Sequence, residues 1–229
     1  MSLPRPPSML ETALETMSGV ELARLALAYP ELVRTQGGKP NSVLVLPGIG
    51  ASNLSTVLLR RFLEQLGHRV KGWELGRNLG DVHANIPRIA GQVADMSEAD
   101  NGPVSIIGWS LGGILGREVA REYPALVQQV ITLGSPILGG AKYTRFADYY
   151  RRRGIDLNSM EARLAARDLR PITVPVTCIY SKLDGIVHWR AAIDRTNPDT
   201  RHHEVRSTHL GLVISPDVFR IIAAELVQK

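Results

Sequence analysis

From Val43 onward, short apolar runs alternate with helix-length amphipathic segments, and this alternation limits the fold more than any other feature of the chain. The runs are Val43-Leu44-Val45-Leu46, Arg69 to Trp73, Val104-Ser105-Ile106-Ile107, Val130-Ile131-Thr132-Leu133, Val176 to Tyr180 and His203-Glu204-Val205. Helical patterns fill about Leu54 to Leu66, Ile86 to Met96, Leu111 to Tyr123 and Val218 to Val227. Parallel neighbours cannot be joined by tight hairpins, so strands separated by helices imply crossover connections and a doubly wound α/β sheet, mostly parallel, of about six strands. The segment before Val43 shows no hairpin pattern, which favours a minimal sheet over one with an extra antiparallel edge.

With 229 residues, 44% of them hydrophobic, the chain can bury one substantial core, and residues 1–229 are read as a single domain. Residues 1–9 form a Pro-rich tail expected to be flexible. Residues 10–38 form a helical segment, broken near Ser18-Gly19 and Pro30 and closed by a turn at Gly37-Gly38-Lys39-Pro40. Leu22, Leu25, Ala26 and Tyr29 recur on one helix face, which is expected to pack on the sheet.

Charge and cysteine usage narrow the function classes. The 27 Lys and Arg exceed the 22 Asp and Glu by five, partly through Arg151, Arg152 and Arg153, which read as a solvated helix face and would also suit contact with a lipid surface. No nucleic-acid motif accompanies the excess. No apolar stretch reaches the roughly 18 residues of a spanning helix, and Met1 to Pro7 lacks the apolar core of a signal peptide, so a cytoplasmic protein without an integral membrane segment is expected. The single cysteine, Cys178, lies in an apolar run and reads as a small buried hydrophobe. No cofactor is implied. His202-His203-Glu204 makes a poor metal site, because adjacent strand residues point to opposite faces.

Gly108-Trp109-Ser110-Leu111-Gly112 matches G-x-S-x-G, a weak signal alone that gains weight from its setting. A buried-strand pattern ends at Ile107 and a helix pattern starts just after Ser110, the strand–turn–helix context in which the serine is strained and exposed. A helix N-terminus there would favour negative charge beside the hydroxyl.

On these residues the chain resembles the α/β hydrolases, in the style of small bacterial lipases and carboxylesterases, over about Ser42 to Lys229. Thr132-Leu133-Gly134-Ser135-Pro136 is also similar to a stretch frequent in lipases, with Ser135 read as structural. The resemblance implies a catalytic triad in the chain order serine, acid, histidine, with Ser110 as nucleophile. Asp184, in the loop after the fifth strand, fits the acid better than Asp194, in a helical stretch, or Asp199, in a Pro-containing turn. Order removes His68 and His83, His188 follows Asp184 too closely, and His202 and His203 belong to the last strand, leaving His209 as base.

The resemblance further implies an oxyanion hole from the backbone N–H groups of Leu111 and of Ile49, in the loop Pro47-Gly48-Ile49-Gly50. Pro47 stands where relatives often carry histidine, which puts the loop's supporting hydrogen bonds in question. The same glycines lack the spacing and the Lys-Ser/Thr pair of a phosphate loop.

Residues 137–172 exceed what a crossover needs and are read as a small helical lid. Tyr143, Phe146 and Tyr150 recur at helical spacing there, so Tyr143 and Phe146, with Trp109 beside the nucleophile, are the candidate substrate contacts, although the same aromatics would serve equally as core. The expected activity is hydrolysis of a small-molecule ester with an apolar acyl group through an acyl-enzyme. Acyl transfer or thioester cleavage would use the same triad. A non-catalytic binding protein on this fold is disfavoured, because such proteins usually lose a triad member. Nothing in the sequence fixes the oligomeric state.

Overall fold

Successive side chains of a strand point to opposite faces, and the central strands here are apolar on both. The computed structural model, which describes residues 4–34, 39–197 and 199–227, accordingly covers both faces of its sheet with helices. The strands are β1 (Ser42–Leu46), β2 (Arg69–Gly72), β3 (Val104–Trp109), β4 (Val127–Leu133), β5 (Val176–Ser181) and β6 (Thr200–Val205). They form one sheet in the order β2-β1-β3-β4-β5-β6, and every pairing in it is parallel.

The alternation can be followed residue by residue. Val43 and Val45 of β1, Ile107 and Trp109 of β3, and Ile131 and Leu133 of β4 face one core, shared with α2 (Ser18–Leu32), α3 (Val57–Gln65) and α8 (Pro216–Val227). Leu44 and Leu46, Ile106, and Val130 face the other, shared with α4 (Val82–Asp100) and α5 (Leu111–Glu122). Phe62 of α3 stacks on Phe219 of α8 at 4.8 Å, which locks the first layer together. The β1/β3 boundary is the point where the strand order reverses, the place at which open α/β sheets form a crevice beyond their carboxyl ends.

The N-terminal segment departs from its sequence reading in two ways. Helix α1 (Met9–Ala13) is capped by Ser8, and the break before α2 is a 3-10 turn at Leu14–Met17 rather than at Ser18-Gly19; Pro30 lies inside α2. The inward face of α2 is Glu21, Leu25 and Leu32, with Leu22 49% exposed and Ala26 also outward. Helix α2 packs on α8 rather than directly on the sheet, so its contact face is rotated from the one expected. Residues 1–3 of the tail and Gly37 and Gly38 of the turn lie outside the described residues. Helix α4 also starts earlier than its apolar stripe, because Asp81 caps it by accepting from the Ala84 N–H at 3.0 Å.

Between β4 and β5 the chain forms a 3-10 turn at Gly140–Tyr143 and two helices, α6 (Ala147–Arg152) and α7 (Leu157–Asp168). Tyr143, Phe146 and Tyr150 do not share one helix. An antiparallel bridge, Thr144 to Val187, and bonds from Arg145 N–H to the Ile186 carbonyl (2.7 Å) and from His188 N–H to the Tyr143 carbonyl (3.0 Å) hold residues 143–145 against the loop after β5. Arg151, Arg152 and Arg153 are solvent-exposed. Among the described residues no helix is long and apolar enough to cross a membrane.

Candidate active site

Ser110 sits between the end of β3 and the start of α5 with φ 54° and ψ −120°, a conformation that costs a non-glycine residue roughly 1–3 kcal/mol. Close packing on either side enforces it. A Cβ on Gly108 would lie 2.3 Å from the Gly113 nitrogen, and one on Gly112 would lie 2.4 Å from the Leu46 carbonyl oxygen. These contacts are the physical content of G-x-S-x-G here. The Ser110 N–H donates to the Leu133 carbonyl (2.8 Å), which fixes the turn to β4. Ser135 is 1% exposed and packs on Gly113, a structural position.

Asp184 and His209 emerge from the loops after β5 and β6, and Asp184 Oδ2 lies 2.7 Å from His209 Nδ1. Their side chains are 2% and 4% exposed. A carboxylate only accepts, so the shared proton belongs on Nδ1 and Nε2 is left to act as acceptor. The other carboxylate oxygen of Asp184 takes N–H bonds from Ile186 (2.9 Å) and Val187 (2.7 Å), which sets the side chain's rotation. A Cβ on Gly134, the residue after the Leu133 carbonyl that binds Ser110, would come within 2.9 Å of Asp184 Oδ2 and 3.1 Å of His209 Nδ1. The serine turn and the Asp–His pair therefore converge on one short stretch of backbone.

Four of the other titratable candidates have partners of their own. Asp194 pairs with Arg117, His68 Nδ1 accepts from Asn41 N–H, His188 Nδ1 accepts from Arg190 N–H, and His203 pairs with Glu225. Burial pushes the Cys178 thiol up, as expected of a core residue.

The loop after β1 carries Ile49, and its support comes from a residue that motif reading missed. Asn78, fully buried, donates from its side chain to the Pro47 carbonyl (3.0 Å) and accepts from Gly80 N–H (3.1 Å). Its backbone accepts from Gly50 N–H (2.7 Å) and donates to the Ala51 carbonyl (2.8 Å). Asn78 thus supplies hydrogen bonds to a loop whose Pro47 side chain has no polar atom to offer. No local pattern marks it.

Ser110, Ile49 and Leu111 open into a cavity of about 710 Å³, walled on its far side by Phe146, Tyr150 and Leu164. Its lining is mainly apolar, with Asp81, His83, Arg163 and Arg167 among its polar residues. Two sequence candidates do not line it. Tyr143 is 4% exposed and donates its hydroxyl to Glu161 (2.6 Å), while Trp109 donates Nε1–H to the His209 carbonyl (3.1 Å) with its ring 5.5 Å from the imidazole. Trp109 therefore buttresses the histidine loop. A wider depression of about 900 Å³ beside Leu14, Arg24 and Ile221 is lined by none of Ser110, Asp184 or His209.

The far end of α7 is tied to α5 by buried charges. Arg121 reaches Asp168 (2.9 Å), Arg167 reaches Glu118 (2.8 Å), and Arg121 Nε donates to the Arg170 carbonyl (2.8 Å). Beside them Arg117 pairs with Asp194 at 2.5 Å. Burial alone would raise the Asp194 carboxyl, but Arg117 and the bonds from Thr196 and Asn197 outweigh it and hold the pKa at about 2.

A parallel sheet in this order, with a strained serine between β3 and α5 and an Asp–His pair beyond β5 and β6, defines the α/β-hydrolase fold. Solved structures agree. A Bacillus licheniformis lipase superposes with a TM-score of 0.67 at 14% identity, over 84% of this chain and 94% of its own. A lipase-esterase related protein from Clostridium acetobutylicum gives 0.60 at 16%, over 83% and 96%. Lipase B of Aspergillus fumigatus gives 0.60 at 18%, over 86% of this chain, which spans only 55% of the fungal one. No family model and no curated protein sequence matches the chain.

Proposed function

We propose that this chain hydrolyses carboxylic esters through an acyl-enzyme on Ser110. The observation that carries the reading is the buried Asp184–His209 pair, with Nδ1 committed to the carboxylate at 2.7 Å, converging with a strained serine that opens into an apolar cavity. In this scheme His209 Nε2 removes the Ser110 proton as Oγ bonds to the ester carbonyl carbon. The carbonyl oxygen becomes an oxyanion held by the Ile49 and Leu111 N–H groups, each such donor being worth about a hundredfold or more in rate. The C–O bond to the alcohol then breaks, and His209 returns the proton to the leaving oxygen. Water, deprotonated by the same imidazole, releases the acid and restores Ser110.

Lipase and esterase neighbours support this chemistry, and the cavity supports an apolar acyl group. In this reading residues 137–172 form the roof of the acyl site, Phe146 and Tyr150 touch the chain, Tyr143 braces the roof through Glu161, and Trp109 braces the histidine loop. A fluorophosphonate probe should label the wild type and not Ser110→Ala, and a p-nitrophenyl ester series should then report the preferred acyl length. A folded wild type that resists labelling overturns the proposal.

A further inference from the structure

The N-terminal segment crosses the loops that carry the acid and the histidine. The capping box of Ser8 and Glu11 starts α1, Thr12 Oγ1 donates to the Gly185 carbonyl (2.9 Å), and a Cβ on Gly185 would lie 2.2 Å from the Glu11 carbonyl oxygen. The strap therefore sits directly on the residue after Asp184. Its 3-10 turn carries Glu15, which is 6% exposed.

A carboxylate this buried must be compensated, and Glu15 is compensated by backbone amides. Oε1 accepts from Gly185 N–H (2.8 Å) and from His209 N–H (2.9 Å), and Oε2 accepts from Leu210 N–H (2.8 Å). One side chain thus bridges the two loops, at the residue following Asp184 and at His209 itself. Register pairing of β5 with β6 ends at Ser181 and Val205, so Asp184 and His209 project beyond the ladder. A bond from Ser207 N–H to Ser181 Oγ (3.2 Å) and the Asp184–His209 contact span the gap, and Glu15 adds a third tie.

Resting on the reading of Ser110, Asp184 and His209 as a triad, we infer that Glu15 is a positioning residue, a brace from outside the hydrolase motifs that holds the acid and base loops at catalytic separation. Reach is what the brace requires. Both loops bond to Oε1, which an amide oxygen at the same distance can replace, while the amide nitrogen would face the Leu210 N–H, a donor on a part-exposed residue that water can take up.

The test compares Glu15→Gln, Glu15→Asp and Glu15→Ala with wild type and Ser110→Ala, measuring kcat and KM on p-nitrophenyl acetate per site titrated with a fluorophosphonate. Glu15→Gln keeps the reach and should retain kcat within about threefold, whereas Glu15→Asp keeps the charge, loses the reach and should lose about tenfold. Glu15→Ala should lose up to about a hundredfold, with KM within about twofold in all variants. If Glu15→Ala does not fold, the Gln and Asp variants decide the matter. Wild-type kcat per titrated site in Glu15→Asp, or a larger loss in Gln than in Asp, overturns the brace. A wild type that neither labels nor hydrolyses overturns the triad reading and the brace with it.

Discussion

Replacing Asn78 by alanine separates the support of the Ile49 loop from its chemistry. The substitution strips the Pro47 carbonyl of its 3.0 Å donor and the Gly80 N–H of its 3.1 Å acceptor, while the backbone bonds of residue 78 to Gly50 and Ala51 persist. Pro47 is buried, so its carbonyl goes unpaired at about 1–3 kcal/mol, whereas Gly80 is partly exposed and can be hydrated. The total is about 1–3 kcal/mol, a fall of roughly 2–12 °C in Tm for a domain of this size. Complete loss of an oxyanion donor costs about a hundredfold to a thousandfold. With half of the loop's ties intact, kcat should fall by roughly ten- to a hundredfold. KM should stay within about twofold, because an ester carbonyl carries little charge before attack. Calorimetry and ester kinetics per titrated site measure the two effects. A lower Tm with unchanged kcat would refute the reasoning, since Ile49 would then hold its place without Asn78.

Other predictions are simpler. The Asp194 carboxyl is held at about 2 against an ordinary 3.8, so its pairing with Arg117 stabilises the fold fully above about pH 4 and is lost as pH falls toward 2, a change of about 2 kcal/mol. The stability gap between wild type and Asp194→Asn should accordingly narrow between pH 5 and about pH 2.5 in denaturant titrations; a gap independent of pH would contradict this linkage. Phe146→Ala should lower kcat/KM on long acyl esters by about fivefold, roughly 1 kcal/mol of apolar contact, and leave acetate esters nearly unchanged. Equal losses on both would count against Phe146 as an acyl contact.

The sheet was legible because burial on both faces leaves a direct trace: Val43 to Leu46 are apolar at every position, as a strand covered on both faces must be. Ser110, Asp184 and His209 could be nominated because the motif and the order of elements locate them, and the structure brings the latter two within 2.7 Å. Asn78 and Glu15 escaped notice for one shared reason. Each acts through hydrogen bonds to distant backbone, 31 residues away for Asn78 and Pro47 and 170 and 194 for Glu15 with Gly185 and His209, and such bonds impose no pattern on neighbouring residues. Tyr143 misled for a different reason. Its three- and four-residue spacings to Phe146 and Tyr150 suit a helix, but the bridge at Thr144 breaks that helix before it forms and turns Tyr143 inward. The face of α2 could not be read from its leucines, because its partner is α8 rather than the sheet.

The two margins of the sheet bear on how copies of this protein meet. An open edge is a template for another strand, and polymerisation through such edges is a standing hazard for α/β proteins. Here β2 carries Arg69 and Lys71, and β6 carries Arg201, His202 and Glu204. Arg69 is anchored to Asp100 (2.5 Å), Arg201 to Glu225 (2.5 Å) and Glu204 to Lys182 (2.8 Å), so each margin is a fixed fence of charge. An incoming strand would have to strip water from these groups at both ends of a four- or six-residue ladder. The charged margins thereby guard the sheet against growth from one molecule into the next.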